Sequence, residues 1–147
     1  MTKLIVTSNE NETMAAGREL AKEILGIQSD RSIIIFLEGE LGAGKTTFTK
    51  GILKGFDYQE LVKSPTYNLV EIHETKNHKV FHFDLYRISE PIELEEIGID
   101  EYLKELGSVS IFEWPKNGEA ALPSPDFHVQ LSYKDTDQNS KRELSIS

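Results

Sequence analysis

The chain contains no cysteine, which removes disulfide bridges, thiolate nucleophiles and thiolate metal sites from consideration. Arginine is scarce too: Arg18, Arg31, Arg87 and Arg142 are all there is. Acidic residues outnumber basic ones by 25 to 16, for a formal net charge of −9. A surface that binds nucleic acid on its own carries the opposite balance, because its affinity comes from neutralising phosphates. No basic stripe with interleaved aromatics occurs either, so any nucleic acid in this protein's work is expected to be held by a partner. Missing as well is an apolar run of the roughly 20 residues that cross a bilayer. The opening Met1-Thr2-Lys3-Leu4-Ile5-Val6 lacks the long apolar core of a secretory signal. No membrane role is expected, and the cytoplasm is the expected location. A length of 147 residues suits one domain, spanning 1–147, with one sizeable core and little room for a separate substrate domain.

What is present is concentrated in Gly39-Glu40-Leu41-Gly42-Ala43-Gly44-Lys45-Thr46, which matches the phosphate-loop pattern G-x-x-x-x-G-K-[ST] without departure. Average glycine usage makes a chance match about one chain in two hundred of this length, so the match is informative alone. Glycines at 39, 42 and 44 are expected to take positive φ and let the backbone approach phosphate oxygens. Successive N–H groups would form an anion nest at a helix N-terminus. Lys45 would reach the β- and γ-phosphates, and the Thr46 hydroxyl would ligate Mg²⁺. The flanks agree in order. Ser32 to Glu38 reads as a strand buried on both faces, and Thr47 to Lys54 as a helix with apolar positions Phe48, Ile52 and Leu53, closed by Gly55 as C-terminal cap.

Elsewhere, Lys3 to Thr7 reads as a short strand. Asn9 with Glu12 resembles a capping box opening a helix to about Leu25, with Met14, Leu20, Ala21, Ile24 and Leu25 as its apolar positions. Asn68 to His73 and Lys79 to Asp84 suggest a hairpin, as do Phe127 to Tyr133 and Arg142 to Ile146. Pro91 opens a helical stretch to Ile97, another runs from Asp100 to Leu106, and Ser108 to Glu113 is a further strand. The expected fold is therefore α/β: a single P-loop NTPase-like domain whose mixed sheet has parallel core strands, added antiparallel hairpins and flanking helices.

A phosphate loop that works with Mg²⁺ needs carboxylates, and two strands end in one. Asp84 and Glu113 would both lie at strand C-termini, the edge where open α/β sheets bind ligands. Spacing leaves open which of them touches the metal. Ser64-Pro65-Thr66-Tyr67 follows in an extended segment, where Thr66 would present its hydroxyl to the metal or γ-phosphate; the plain alternative is a Ser-Pro turn entering a strand.

Glu38 to Phe48, Ser64 to Val70, His82-Phe83-Asp84-Leu85-Tyr86-Arg87 and Phe112-Glu113-Trp114-Pro115 occur in that order. Together they closely resemble the TsaE family, the small ATPase of the bacterial tRNA threonylcarbamoyladenosine system, over about Thr7 to Arg142. The resemblance implies ATP and Mg²⁺ as cofactors. It also implies association with TsaB and TsaD, and support for threonylcarbamoyl transfer onto the adenosine beside the anticodon, with tRNA met through that complex. It implies nucleotide contacts from Glu40, Leu41, Gly42, Ala43, Gly44, Lys45, Thr46 and Thr47, and Thr46 and Glu113 as Mg²⁺ ligands. Asp84 falls at the Walker B position, near the metal, and Ser64 to Tyr67 at a switch-like segment. Lys45, Asp84 and Thr66 are thus the expected catalytic residues.

Other residues carry two readings each. Trp114 packs over the nucleotide or plugs the core. Arg87 acts on γ-phosphate as an arginine finger or, the preferred reading, pairs with Glu90 or Glu93. His82 reads as a sheet histidine, and Glu93 to Glu96 as a solvated helical face. Two rival functions share the loop. A small-molecule or nucleoside kinase would need lid arginines and an acceptor pocket, and a nucleotide-responsive interaction module would bind without useful turnover.

Overall fold

The computed structural model describes residues 2–60, 69–134 and 141–147. Along the chain these form β1 (Lys3–Thr7), α1 (Glu10–Leu25), β2 (Ile33–Glu38), α2 (Lys45–Gly55), β3 (Val70–Glu74) and β4 (Lys79–Asp84), then α3 (Ile92–Glu96), α4 (Ile99–Lys104), β5 (Ser108–Glu113), a 3-10 segment (Pro115–Ala121), β6 (Phe127–Tyr133) and β7 (Arg142–Ile146). The strands make one sheet in the order β1-β7-β6-β2-β5-β4-β3. β6, β2, β5 and β4 run parallel, and antiparallel pairs finish the sheet on both sides. The mixed α/β sheet expected from sequence is the one observed. None of the described helices is long and apolar enough to cross a membrane.

Two cores explain why β2 reads as an unbroken apolar run. Ile33, Ile35 and Leu37 pack under α1 and α2 with Leu20, Phe48 and Ile52. Ile34 joins the opposite core with Phe83, Phe112, Leu94 and Ile99. A strand covered on both faces has no polar positions to alternate. On the second face Phe83 and Phe112 stack with centroids 4.5 Å apart, and Tyr102 meets Phe83 edge-on.

Helix α1 starts as its sequence suggests. The Asn9 side chain accepts from Glu12 N at 2.9 Å, and the Glu12 carboxylate accepts from Ser8 N at 3.0 Å, so two N-terminal donors are satisfied. Its buried stripe differs from expectation, being Thr13, Ala16, Gly17, Leu20, Ala21 and Ile24, while Leu25 is 43% exposed. The cause is the close approach of α2. A Cβ on Gly17 would lie 2.3 Å from Phe48 O, one on Gly51 would lie 2.0 Å from Met14 O, and one on Gly55 would lie 2.4 Å from Ala21 Cβ. Small residues face α2 because nothing larger fits. This also corrects the role given to Gly55. The helix runs through it to a cap at Phe56, and the left-handed residue after the helix is Asp57 at φ 62°. Helix contact, and not helix ending, requires glycine at 55.

The short helices α3 and α4 end sooner than their apolar patterns suggest, separated by Gly98 at φ 77°. The 3-10 segment after β5 had no counterpart in the sequence reading. It is pinned where Asn117 Nδ2 donates to Leu85 O at 2.8 Å.

Gly51→Ala is expected to destabilise the protein by at least about 2 kcal/mol, the cost of overpacking a tight helix contact, with urea unfolding as the measure. Gly107→Ala, where an added Cβ meets nothing but φ is 69°, should cost only about 1 kcal/mol of left-handed strain.

Candidate functional site

Strand β2 ends at Glu38 and α2 begins at Lys45, so the phosphate-loop residues 39–44 bridge a strand C-terminus and a helix N-terminus. Gly42 and Gly44 take φ of 82° and 107°, as expected. Gly39 does not; a Cβ there would lie 2.7 Å from Leu131 O, so glycine is needed for close approach of the loop to β6. Gly44 is the N-cap and supplies no side-chain cap, so no capping side chain stands between the loop and the first-turn N–H groups that helix geometry points toward it. Glu40 and Leu41 are exposed at the loop tip, and Thr46 and Thr47 lie partly buried in the first turn of α2.

The carboxylates reach this loop through strand register. β4 and β5 are parallel neighbours with Asp84 opposite Glu113. Val80, Val109 and Ile111 belong to the core beneath α1 and α2, and alternation along the strands carries His82, Asp84 and Glu113 to that same face. Lys45 and Glu113 are buried, at 6% and 4% exposure. The Lys45 ammonium donates to Gly39 O at 2.7 Å, sits 3.8 Å from Glu113 Oε1 and lies 4.0 Å from the Trp114 ring centroid. Burial pulls the Lys45 pKa below its ordinary value, against the upward pull of Glu113, Asp84 and Glu38. Asp84 is partly buried and accepts from Tyr86 N at 3.0 Å. Its pKa is raised, chiefly by burial; the Tyr86 N–H opposes the shift, Glu113 adds to it, and His82 and Lys45 oppose it.

Thr46, Asp84 and Glu113 would offer a hydroxyl and two carboxylates, a hard oxygen set. Among the described residues no group of three or more His, Cys, Asp or Glu is placed to hold a metal by itself. Such a set suits Mg²⁺, which keeps waters and shares phosphate oxygens, better than an ion needing an all-protein cage. Trp114 is in the left-handed region at φ 56° and packs against Tyr86 with centroids 5.0 Å apart. Its indole also borders a cavity of about 550 Å³, together with Glu38, Gly39, Glu40, Lys116 and Tyr133. Thr66, with Ser64, Pro65 and Tyr67, lies outside the described residues. Arg87 is exposed beyond β4. The Glu93 carboxylate accepts from Ser89 N at 2.8 Å and Glu90 N at 3.0 Å, so this member of the acidic run caps the entry to α3.

Tyr133 and Arg142 were missed as loop contacts. Tyr133 Oη donates to Gly42 O at 3.0 Å. Arg142 donates through Nε to Ala43 O at 3.2 Å and through Nη2 to Gly42 O at 3.2 Å. The guanidinium stacks 4.0 Å from the Tyr133 ring, and the two residues are register partners across β6 and β7. No local pattern marks these positions; only the hairpin pairing Tyr133 with Arg142 could have prompted a search.

A model of the family described as "Threonylcarbamoyl adenosine biosynthesis protein TsaE" matches residues 7–144. The chain is similar to the Haemophilus influenzae tRNA threonylcarbamoyladenosine biosynthesis protein TsaE, 40% identical over 131 residues that make up 89% of this chain and 82% of that protein. It is similar also to the Bacillus subtilis protein of the same name, 35% identical over 114 residues, 78% of this chain and 68% of the relative. Among solved structures, Bacillus subtilis YdiB superposes with a TM-score of 0.79 at 27% identity, covering 99% of this chain and 84% of the other.

Two measurements test the site's physics. Arg142→Ala should weaken binding of an ATP analogue by about tenfold, the scale of one charge-assisted hydrogen bond, while the melting temperature changes little. Asp84→Asn should raise the melting temperature at pH 7 to 8 by a few degrees. A carboxyl whose folded pKa is raised holds its proton better in the native state, so ionisation at higher pH costs stability that a neutral amide does not. The difference between the two proteins should shrink as pH falls below the ordinary carboxylate range; a pH-independent difference would overturn this account.

Proposed function

The chain belongs to the TsaE family, and on that premise we propose that it serves tRNA threonylcarbamoyladenosine formation as a Mg²⁺-dependent ATPase with low intrinsic turnover. The observation that carries the reading is convergence: a complete phosphate loop places Lys45 3.8 Å from Glu113, with Asp84 in register beside that carboxylate. In this reading Lys45 grips the β- and γ-phosphates, and the first-turn amides of α2 hold phosphate oxygens. Thr46 and Glu113 would hold Mg²⁺. Asp84 would orient the attacking water, and the Thr66 hydroxyl would report the γ-phosphate. Trp114 flanks the nucleotide. Mg²⁺, when bound, would neutralise charge spread over the transferring phosphoryl oxygens. The chain acts as one domain in the cytoplasm, with TsaB and TsaD as partners that complete the site and carry the tRNA.

Arginine placement weighs against the kinase alternative. Such an enzyme clamps donor and acceptor phosphates with mobile arginines. Here Arg31 is held by both oxygens of Asp126 at 2.9 Å, and Arg142 is occupied with the loop carbonyls.

The test is a reconstituted modification assay with TsaB, TsaD and tRNA, scored for repeated rounds of threonylcarbamoylation. Adding the protein with ATP should raise product per TsaD well beyond one turnover, and Lys45→Ala, still folded, should not. The ATPase rate should rise when TsaB and TsaD are added. Equal product with and without the protein, or phosphorylation of a small acceptor in the absence of partners, would defeat the proposal.

A further inference from the structure

His82 reads in sequence as a sheet histidine with no role in the chemistry, and its burial alone would support that. It is 0% exposed in the middle of β4. Its neighbourhood argues otherwise. The Nε2 atom lies 2.5 Å from Glu113 Oε2, while Glu113 Oε1 faces the Lys45 ammonium at 3.8 Å. The two oxygens of one carboxylate therefore have separate partners, and the split fixes how the group is turned. Among the described residues Nδ1 has no hydrogen-bond partner. An imidazole with its proton on Nε2 accounts for both facts, since it donates to the carboxylate and leaves only an acceptor lone pair unmatched. The opposite tautomer would bury an unpaired N–H and set a lone pair against a carboxylate oxygen.

Strand geometry makes the contact possible. His82 lies two residues before Asp84 on the same face of β4, and Glu113 is the register partner of Asp84 on β5. The imidazole can thus reach diagonally to Oε2 from below, on the core side, without occupying the side of the carboxylate that meets the phosphate loop.

We infer that His82 is a positioning residue for the metal-binding carboxylate: its Nε2–H fastens Glu113 Oε2 so that Oε1 is presented to a divalent cation at the phosphate loop. The inference rests on the reading of Glu113 as a Mg²⁺ ligand. Outer partners of this kind typically change metal affinity by 10- to 100-fold when removed. The function needs a donor at that spot, and packing volume alone does not supply it.

Three variants separate those possibilities. His82→Gln keeps an N–H donor near the position of Nε2, His82→Asn places its amide too short to reach, and His82→Leu has no donor. The primary readout is Mn²⁺ binding to the protein–ADP complex, followed by loss of the free-ion EPR signal. ADP binding in EDTA, read from the fluorescence of Trp114, the single tryptophan, reports an intact fold and loop. His82→Leu and His82→Asn should weaken Mn²⁺ binding at least tenfold while ADP affinity in EDTA stays within twofold, and His82→Gln should remain within about threefold of the native protein. Should His82→Leu fail to fold, the Gln and Asn pair decides. Native Mn²⁺ affinity in the folded Leu or Asn variant, or equal loss in Gln and Asn, overturns the inference. Glu113→Gln is measured alongside. If it leaves Mn²⁺ binding unchanged, the reading of the metal site falls and this inference with it; if it weakens binding while the His82 variants do not, only the present inference falls.

Discussion

Everything around the site is arranged to tolerate two ionisable side chains of opposite type almost out of water, Lys45 and Glu113, each with a side chain only 6% exposed. Burying an ion pair generally costs as much as its attraction returns unless further hydrogen bonds complete both groups. At 3.8 Å the pair is an ionic contact and lacks the length of a hydrogen bond, so the completion comes from elsewhere. Gly39 O accepts from the ammonium, the Trp114 ring lies beneath it, and His82 meets the far carboxylate oxygen. Each helper is fixed by a different element. The pair persists only while β2, α2, β4 and β5 keep their relative positions.

That requirement makes sense of features remote from the phosphates. Helix α2 cannot shift without moving Lys45, and the glycine contacts of Gly17, Gly51 and Gly55 press it against α1 with no slack. β5 is buried along its whole length although it carries Ser108, Ser110 and Glu113. Its serines are matched: Ser108 Oγ donates to Glu105 O at 2.8 Å, and Ser110 Oγ meets Ser32 Oγ at 2.7 Å. From the other side, Tyr133 and Arg142 hold the outward carbonyls of Gly42 and Ala43. In a trans peptide a carbonyl held outward turns the following N–H the other way. The grip on Ala43 O therefore helps set the orientation of the peptide between Ala43 and Gly44, and the C-terminal hairpin shapes the phosphate loop through its carbonyls.

How much of this could be read beforehand divides along local and tertiary lines. The loop, β2, the α1 capping box, both hairpins and the two strand-end carboxylates were legible because adjacent residues encode them: spacing in the loop, alternation or its loss in strands, a side chain three residues from its cap. The assignments that failed required knowing a neighbour. Gly55 looked like a cap because glycine after an apolar face usually is one, yet Ala21 decides its identity. Met14 and Leu25 fitted an apolar face, but α2 comes so close that the buried stripe shifted to Thr13, Ala16 and Gly17. Arg142 and Tyr133 became site residues only through a hairpin that returns near the loop, and His82 through a register two strands wide.

The charges around Lys45 indicate why such a site would turn over slowly alone. One ammonium answers to Glu113, Asp84 and Glu38, with the Glu38 carboxylate also paired to His128. A triphosphate entering that field adds several negative charges to one already short of positive ones. A divalent cation would offset part of the excess, and Thr46 with Glu113 and Asp84 would provide the oxygens for it. What remains is the charge that develops on the γ-phosphoryl oxygens as the bond to the leaving group breaks, where an added arginine is worth 10³ to 10⁵ in rate in other P-loop enzymes. Arg31 and Arg142 are already occupied. A chain so poor in arginine, with a formal net charge of −9, would be better suited to receive that last cation from a partner than to carry it. Under the proposed function, the acidity that argues against direct tRNA binding would have a second consequence: it would favour docking of a basic partner surface beside the loop, coupling assembly to hydrolysis through one deficit of charge.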